Sequence, residues 1–437
     1  MIFGGQFNNV LSKLTASGQP VNEISRRHRP DYKIVLYMGL LMLIGLIIIY
    51  AIGPQRANVL NNAYGSDYSG TYFFIKQTTS LLVALLAFGL AASVPYVLIT
   101  KNSGRILIIG LVACAILAIA GWAHMGIAQA SLGAIRWFNL GAVGSFQPAE
   151  VLKFGVLVFL AGFLGVKAQQ GKVNDINETL IPVGVVLALS MLFMVVIQKD
   201  LGTGVALVSI VFSMLFVAGL NKKIGLAILI GALAIGGILI ASEPHRVDRI
   251  TTFLKGDSSS VSDAGSYHIE HAKIAIGTGG WTGVGIGNSV QATGYLPEAI
   301  NDSVFAIMGE TFGFIGLVGI LILFTSLMLR LLKVMDHLVD PRLKLIVAGV
   351  FGWFGAHVIL NVASMTGIFP LTGITLPLLS FGGTSMIFIA GALGLVFQLS
   401  RYTAHTSRLK EAQNENSSSR RGVGRSRHAS RRSFERT

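Results

Sequence analysis

The chain has 437 residues, 52% of them hydrophobic and 12% charged, and carries a formal net charge of +14. That composition lies outside the soluble globular range and excludes a water-soluble enzyme as the main body of the protein. The positive charge is not a nucleic-acid footprint, because it sits in short loops and polar ends rather than on one folded basic face.

The first about 33 residues are polar, with no small-residue cleavage site before the first apolar run, so that run reads as a signal anchor. Apolar runs long enough to span a bilayer fall at about 34–52, 78–99, 106–126, 151–166, 180–197, 201–220, 224–242, 303–329, 345–366 and 383–399. The expected fold is an all-α polytopic membrane protein of about ten transmembrane helices, with a large extracytoplasmic loop between the seventh and eighth. The expected organisation is a cytoplasmic segment at 1–33, a membrane domain at 34–402 that includes the loop at 243–302, and a disordered basic cytoplasmic tail at 403–437.

Orientation follows from charge. Of the 34 Lys and Arg, 25 lie in the N-terminal segment, in the even-numbered loops (Lys101, Arg105, Lys167, Lys172, Lys222, Lys223, Arg330, Lys333, Arg342 and Lys344) and from Arg401 onward. The positive-inside rule makes that side cytoplasmic, so both termini are expected inside and the 243–302 loop outside. The tail is expected to be drawn to anionic lipid headgroups. The single cysteine, Cys114, lies in the third span and reads as a small core residue. No internal repeat is evident, which weakens a transporter reading.

The polar residues outside the cytoplasmic loops gather in four segments. In the first, Arg136 and Trp137 precede Gln147-Pro-Ala-Glu-Val-Leu-Lys153. Glu150 and Lys153 share a helix face, and they read either as a structural ion pair or as substrate-facing charges. In the second, Gln198-Lys-Asp-Leu-Gly-Thr203, Asp200 and Thr203 suit a helix cap. The third holds Arg246 and Arg249, whose guanidinium groups suit a pyrophosphate, or else pair with Glu243 and Asp248.

The fourth segment runs from Tyr267 to Glu310. His268 and His271 have metal-like spacing but no specified third ligand, and read as solvated loop residues. Asp302 opens the eighth span as a carboxylate at a membrane boundary, where such groups are costly and commonly functional, although capping that helix would also suit it. A last Pro/Gly-broken stretch, 367–385, interrupts helix at the same face, and irregular backbone there is tolerated where it lines a polar cavity or is buried in protein.

Taken together, Arg136-Trp137, Gln147 to Lys153, Gln198 to Thr203, Gly287-Asn-Ser-Val-Gln291, Tyr295-Leu-Pro-Glu-Ala299, Asp302 through Gly309-Glu310, Pro370-Leu-Thr-Gly373 and Ser380-Phe-Gly-Gly383 resemble the SEDS family (shape, elongation, division and sporulation) of ten-span peptidoglycan polymerases. The resemblance covers about residues 33–402 in order and topology. Gly287 to Gln291 and Leu376-Pro377 look more like the division members (FtsW) than the elongation members (RodA). The chain departs from the family in having Ile300-Asn301 where His-Thr is usual before the Asp, Ser303 where Phe is usual, and Phe381 where Tyr is usual.

The resemblance implies an inverting glycosyltransferase that polymerises lipid II into glycan strands at the septum of a bacterial cytoplasmic membrane, with Asp302 as general base. It implies substrate contacts from Arg136, Trp137, Gln147, Glu150, Lys153, Asp200, Arg246, Arg249, Tyr267, Asn288, Gln291, Glu298, Glu310 and Ser380. A divalent cation (Mg or Mn) at the pyrophosphate is a further expectation. Implied partners are lipid II, a class B penicillin-binding protein, other divisome proteins and membrane lipids. The competing functions are a lipid II flippase, which would place its charged sites near the midplane, and a non-catalytic divisome scaffold, which would not need Asp302.

Overall fold

The computed structural model describes residues 29–131, 134–141, 144–241, 247, 251 and 264–403. Most of the N-terminal segment, Arg246, Arg249 and the tail expected from 403 onward lie outside the described residues, apart from Thr403 itself. Among the described residues ten helices are long and apolar enough to cross a membrane: Tyr32–Tyr64, Tyr72–Ser93, Ser103–Trp122, Pro148–Gln169, Ile176–Ile197, Leu201–Ala218, Lys222–Ala241, Val304–His337, Pro341–Met365 and Thr384–Tyr402.

Their ends have local causes. The first span starts behind Asp31, whose side chain accepts from Lys33 N, and stops at left-handed Gly65. At about 1.5 Å per residue its 33 residues exceed the roughly 30 Å hydrocarbon core, so its last turns overhang the bilayer. Pro148 occupies the first turn of the fourth span, where its missing N–H costs nothing. Asp200 caps the sixth span by accepting from Thr203 N at 3.1 Å.

Helices in lipid gain little from hydrophobic burial against one another, so close packing decides their contacts. The third and fourth spans approach through glycines. A Cβ on Gly110 would stand 2.7 Å from the Leu152 backbone, and one on Gly155 would stand 2.9 Å from the Leu107 backbone. The ninth span is the hub, packing on the fourth, sixth and eighth, while the tenth packs along the second. The seventh span is the least buried of the ten among the described residues, fully enclosing only Gly225.

Alternating spans place segments 65–71, 123–147, 198–200, 264–303 and 366–383 at one end of the bundle. That end also carries a small antiparallel sheet ordered β1 (Ala128–Ser131), β2 (Ala134–Asn139) and β3 (Ser145–Phe146). At the opposite end Arg330 Nη2 pairs with Asp31 Oδ2 at 2.7 Å, and Asp31 N donates to Ser400 Oγ at 2.9 Å.

Candidate active site

The eighth span is two helices joined across a break. Gly313 has φ 67° and ψ −169°, so residues 304–312 form a half-helix at the site end. The glycine-rich stretch 280–285 fills the break. Phe314 N donates to Gly280 O at 2.8 Å, Ile315 N to Trp281 O at 3.2 Å, Val284 N to Glu310 O at 2.9 Å and Gly285 N to Thr311 O at 3.1 Å. A Cβ on Gly313 would lie 2.3 Å from Gly283 N, and one on Gly283 would lie 2.2 Å from Thr311 O, so the two backbones meet only because both residues are glycine. These glycines therefore rebuild a broken helix.

Glu310 anchors the loop that follows. Its buried carboxylate accepts from Ser289 Oγ at 2.5 Å, from Val290 N at 2.9 Å and from Gln291 N at 3.2 and 3.3 Å. Glu310, expected to contact substrate, has both its oxygens engaged by the 289–291 turn. The overhang of the first span clasps the same loop from outside, with Gln55 Nε2 donating to Gly287 O at 3.1 Å and Arg56 Nη2 lying 3.8 Å from Glu298 Oε1.

Asp302 lies where this loop, the half-helix and the 366–383 stretch meet. Its carbonyl accepts from Asn361 Nδ2 at 2.7 Å, and the same amide donates to Ile374 O at 2.7 Å, tying both segments to the ninth span. Oδ2 of Asp302 stands 3.9 Å from where a Cβ on Gly373 would be. Phe381 N donates to Ile300 O at 2.8 Å, closing the other side. Ser303, not Asp302, holds the N-cap position, and its side chain makes no cap bond there.

One turn before Asn361 on the ninth span, His357 leads to the buried charges. Lys153 Nζ lies 2.9 Å from Glu150 Oε1, 3.5 Å from His357 Nε2 and 4.9 Å from the centre of the Trp353 ring. Both charged side chains are almost fully buried, so they face protein rather than lipid. The other ring nitrogen of His357 lies 3.3 Å from Thr375 O, next to the Ile374 carbonyl held by Asn361. A continuous polar path thus runs from Glu150 and Lys153 to the backbone of Asp302.

A second set surrounds the 198–200 turn. Arg136, on β2, donates through Nη2 to Lys199 O at 2.7 Å and through Nε to Gln198 O at 3.2 Å, with Nε 4.0 Å from Asp200 Oδ2. Gln147 Nε2 donates to Asp200 Oδ2 at 3.3 Å, and Thr203 Oγ1 donates to it at 2.7 Å. The sixth span adjoins the 366–383 stretch here, since a Cβ on Gly202 would lie 2.9 Å from Thr372 O. Trp137 follows on the strand and projects to the opposite face from Arg136, half-buried.

The remaining expected contacts are held as structure. Asn288 Nδ2 donates to Val284 O at 3.0 Å, Ser380 Oγ accepts from Leu376 N at 2.8 Å, and Glu298 also binds Asn301 Nδ2. Gln291 Oε1 accepts from His271 Nδ1 at 2.8 Å, and the Tyr267 ring packs 4.1 Å from that of His271. The solvated histidines expected from the sequence are therefore a correction: His268 is buried, 2.6 Å from Ser303 Oγ. Both stand on a helix, Ala264–Thr278, inside the segment expected as loop. The sequence reading did not single out His357 and Asn361; their spacing of four, which puts two polar side chains on one face of an apolar span, is the one signal that points to them, and mean hydropathy hides it. Among the described residues no three His, Cys, Asp or Glu side chains converge to hold a metal, so a divalent cation caged by these residues alone does not fit.

Residues 32–405 match the FtsW/RodA/SpoVE family model, described as cell cycle protein. Stage V sporulation protein E of Bacillus subtilis (strain 168) is 30% identical over 385 residues, covering 87% of this chain and 100% of that protein. A probable peptidoglycan glycosyltransferase FtsW of Aeromonas salmonicida (strain A449) is 32% identical over 378 residues, covering 84% of this chain and 90% of that protein. Among solved structures, a chain from work on the structural coordination of polymerization and crosslinking by a peptidoglycan synthase complex gives a TM-score of 0.64 at 23% identity, over 86% of this chain and 99% of that one. A mutant of the Thermus thermophilus rod shape determining protein RodA gives 0.62 at 22% identity, over 86% and 99%. At such identities the structural likeness speaks for the fold alone.

Proposed function

As a member of the FtsW/RodA/SpoVE family of cell cycle proteins, the chain is, we infer, a multi-pass membrane peptidoglycan glycosyltransferase, and we propose that Asp302 is its general base. The observation that carries the assignment is the convergence of two non-helical segments and the 304–312 half-helix on Asp302, with its backbone fixed by Asn361 at 2.7 Å. Nearby carboxylates have structural work: Glu150 neutralises Lys153, Asp200 caps the sixth span and Glu310 holds a turn.

Polymerisation joins the sugar hydroxyl of one lipid II molecule to the anomeric carbon of another. The hydroxyl oxygen forms the new bond while its proton passes to the Asp302 carboxylate. The anomeric carbon–oxygen bond breaks, and lipid pyrophosphate departs with the electron pair. Attack opposite the leaving group inverts the centre, so one carboxylate as base suffices. A positioned base contributes about 10²–10⁴-fold. Positive charge is needed at the leaving group, and Arg136, more exposed than the sealed Lys153, is the cation to which this reading gives that role.

The site end faces outward on this reading, because the basic loops of the opposite end belong in the cytoplasm. A class B penicillin-binding protein is the proposed crosslinking partner, the division septum the proposed location, and other divisome proteins the wider company. Charges gathered at one end support chemistry over a flippase, whose sites belong near the midplane. The test is polymerisation of purified lipid II by wild type and Asp302→Asn, each with and without the partner. Asn keeps the size but removes the basicity, so glycan synthesis is expected to vanish in a folded protein. Substantial synthesis by folded Asp302→Asn would overturn the assignment.

A further inference from the structure

The wall behind Asp302 contains a histidine that the reaction as described does not use. Helix Ala264–Thr278 lies against the 304–312 half-helix and presents His268 and His271, three apart on one face, toward residues 291–303. Nε2 of buried His268 is 2.6 Å from Ser303 Oγ, and Ser303 directly follows Asp302. The same hydroxyl donates to Pro297 O at 2.8 Å.

A hydroxyl has one proton and a carbonyl can only accept. The Ser303 proton is therefore committed to Pro297, and the hydrogen in the second bond belongs to His268 Nε2. This fixes the histidine as a donor. The turn that the two bonds close is a tight one: Asn301 N and Ser303 N both donate to Glu298 O, at 2.9 and 3.2 Å, and Glu298 is a non-glycine residue held at φ 49°. Such backbone persists only where the surroundings over-determine it. Asp302 is the penultimate residue of that turn, so any relaxation of Ser303 re-aims its carboxylate.

We propose that His268 is a positioning residue for this glycosyltransferase: by donating from Nε2 to Ser303 Oγ it locks the Pro297–Ser303 turn in the form that presents Asp302 to the sugar hydroxyl. The proposal rests on Asp302 being the base. His268 itself touches neither substrate nor reacting atoms. His271 supports the same helix one turn on, through Gln291.

The test uses the full-length protein with purified lipid II and compares His268→Leu, His268→Gln, Ser303→Ala and the His268→Leu/Ser303→Ala double variant. A glutamine amide nitrogen reaches about where Nε2 stands and keeps the donor; leucine does not. Small misplacements of a reacting group cost up to about 10²-fold. His268→Leu and Ser303→Ala are therefore each expected to lower kcat about tenfold, with KM for lipid II unchanged. His268→Gln should recover most of kcat, and the double variant should be no worse than Ser303→Ala. Wild-type kcat in folded His268→Leu would overturn the proposal. So would a loss that His268→Gln fails to recover, or one that appears in KM alone. If His268→Leu does not fold, His268→Gln against Ser303→Ala decides by the same kcat criterion. Activity in Asp302→Asn would instead sink the assignment of the base, whatever the histidine variants do.

Discussion

Replacing Lys153 by methionine removes the ammonium but keeps a stem of similar length. Lys153 Nζ lies 2.9 Å from Glu150 Oε1, with the side chains 0% and 2% exposed, so water cannot take over the role of the lysine. The second oxygen of Glu150 is buried and has no hydrogen-bond partner, which leaves the carboxylate little else to lean on. Breaking a buried pair by deleting one partner strands the other charge, at a cost of about 3–5 kcal/mol. Removing both charges together is far milder, because each partner's desolvation cost disappears with its charge. Lys153→Met is therefore expected to lose about 3–5 kcal/mol of unfolding free energy, while Glu150→Gln/Lys153→Met stays within about 1 kcal/mol of wild type. SDS titration of the purified protein in mixed micelles, followed by circular dichroism, reads both values. A Lys153→Met cost under about 1 kcal/mol, or a double variant as unstable as the single, would refute the claim that the pair is sealed from solvent.

Other consequences follow from the same geometry. Arg136→Ala is expected to lower steady-state polymerisation by about 10–10³-fold, and Arg136→Lys to recover only part, because one ammonium cannot span the carbonyls of Gln198 and Lys199 as a guanidinium does; full recovery with lysine would contradict this. Gly313→Ala places a methyl 2.3 Å from Gly283 N at a positive φ, and the same SDS titration is expected to show a loss of more than about 2 kcal/mol. Glu310→Gln turns an amide NH₂ toward hydroxyl and N–H donors, so faster proteolytic nicking near 289–291 is expected with Asp302 itself intact. Truncation after Thr406 is expected to leave polymerisation of purified lipid II unchanged while weakening binding to anionic vesicles, since the tail is charged and the site lies at the other end of the bundle.

The spans were legible because a bilayer demands long apolar runs, yet their ends departed from hydropathy for reasons that only packing reveals. The second span begins at Tyr72, not near 78, because Gln77 is buried inside the bundle with its amide toward Ser380 O at 3.4 Å. The first continues past Pro54 to Tyr64 because polar residues such as Gln55 and Arg56 are helical outside the bilayer, where they hold the loop. The break at Gly313 carries no sign that sets it apart from Gly309, Gly316 and Gly319 in the same run; it exists because Gly283, 30 positions earlier, meets it. Asp302, Glu150, Lys153 and Arg136 stood out as charges where charge is costly. His357 and Asn361 did not, since two polar residues inside a 25-residue helix barely lower its mean hydropathy.

The arrangement also explains why one end of the bundle abandons regular helix. Each unpaired backbone group in a membrane costs several kcal/mol, so broken segments persist only where partners exist. Here the partners are supplied across elements. Stretch 280–285 pairs with 310–315, Glu310 with 289–291, and Asn361 with both Asp302 and Ile374. Loops held by so many cross-bonds behave as rigid scaffold rather than as mobile connection. A base that must meet a sugar hydroxyl at hydrogen-bond distance needs that rigidity. A flippase needs the opposite, an element with two arrangements of similar energy. Among the described residues the seventh span is the least buried, with a single glycine fully enclosed. The wall that carries Asp302 is the opposite case, each of its broken segments being tied to another element.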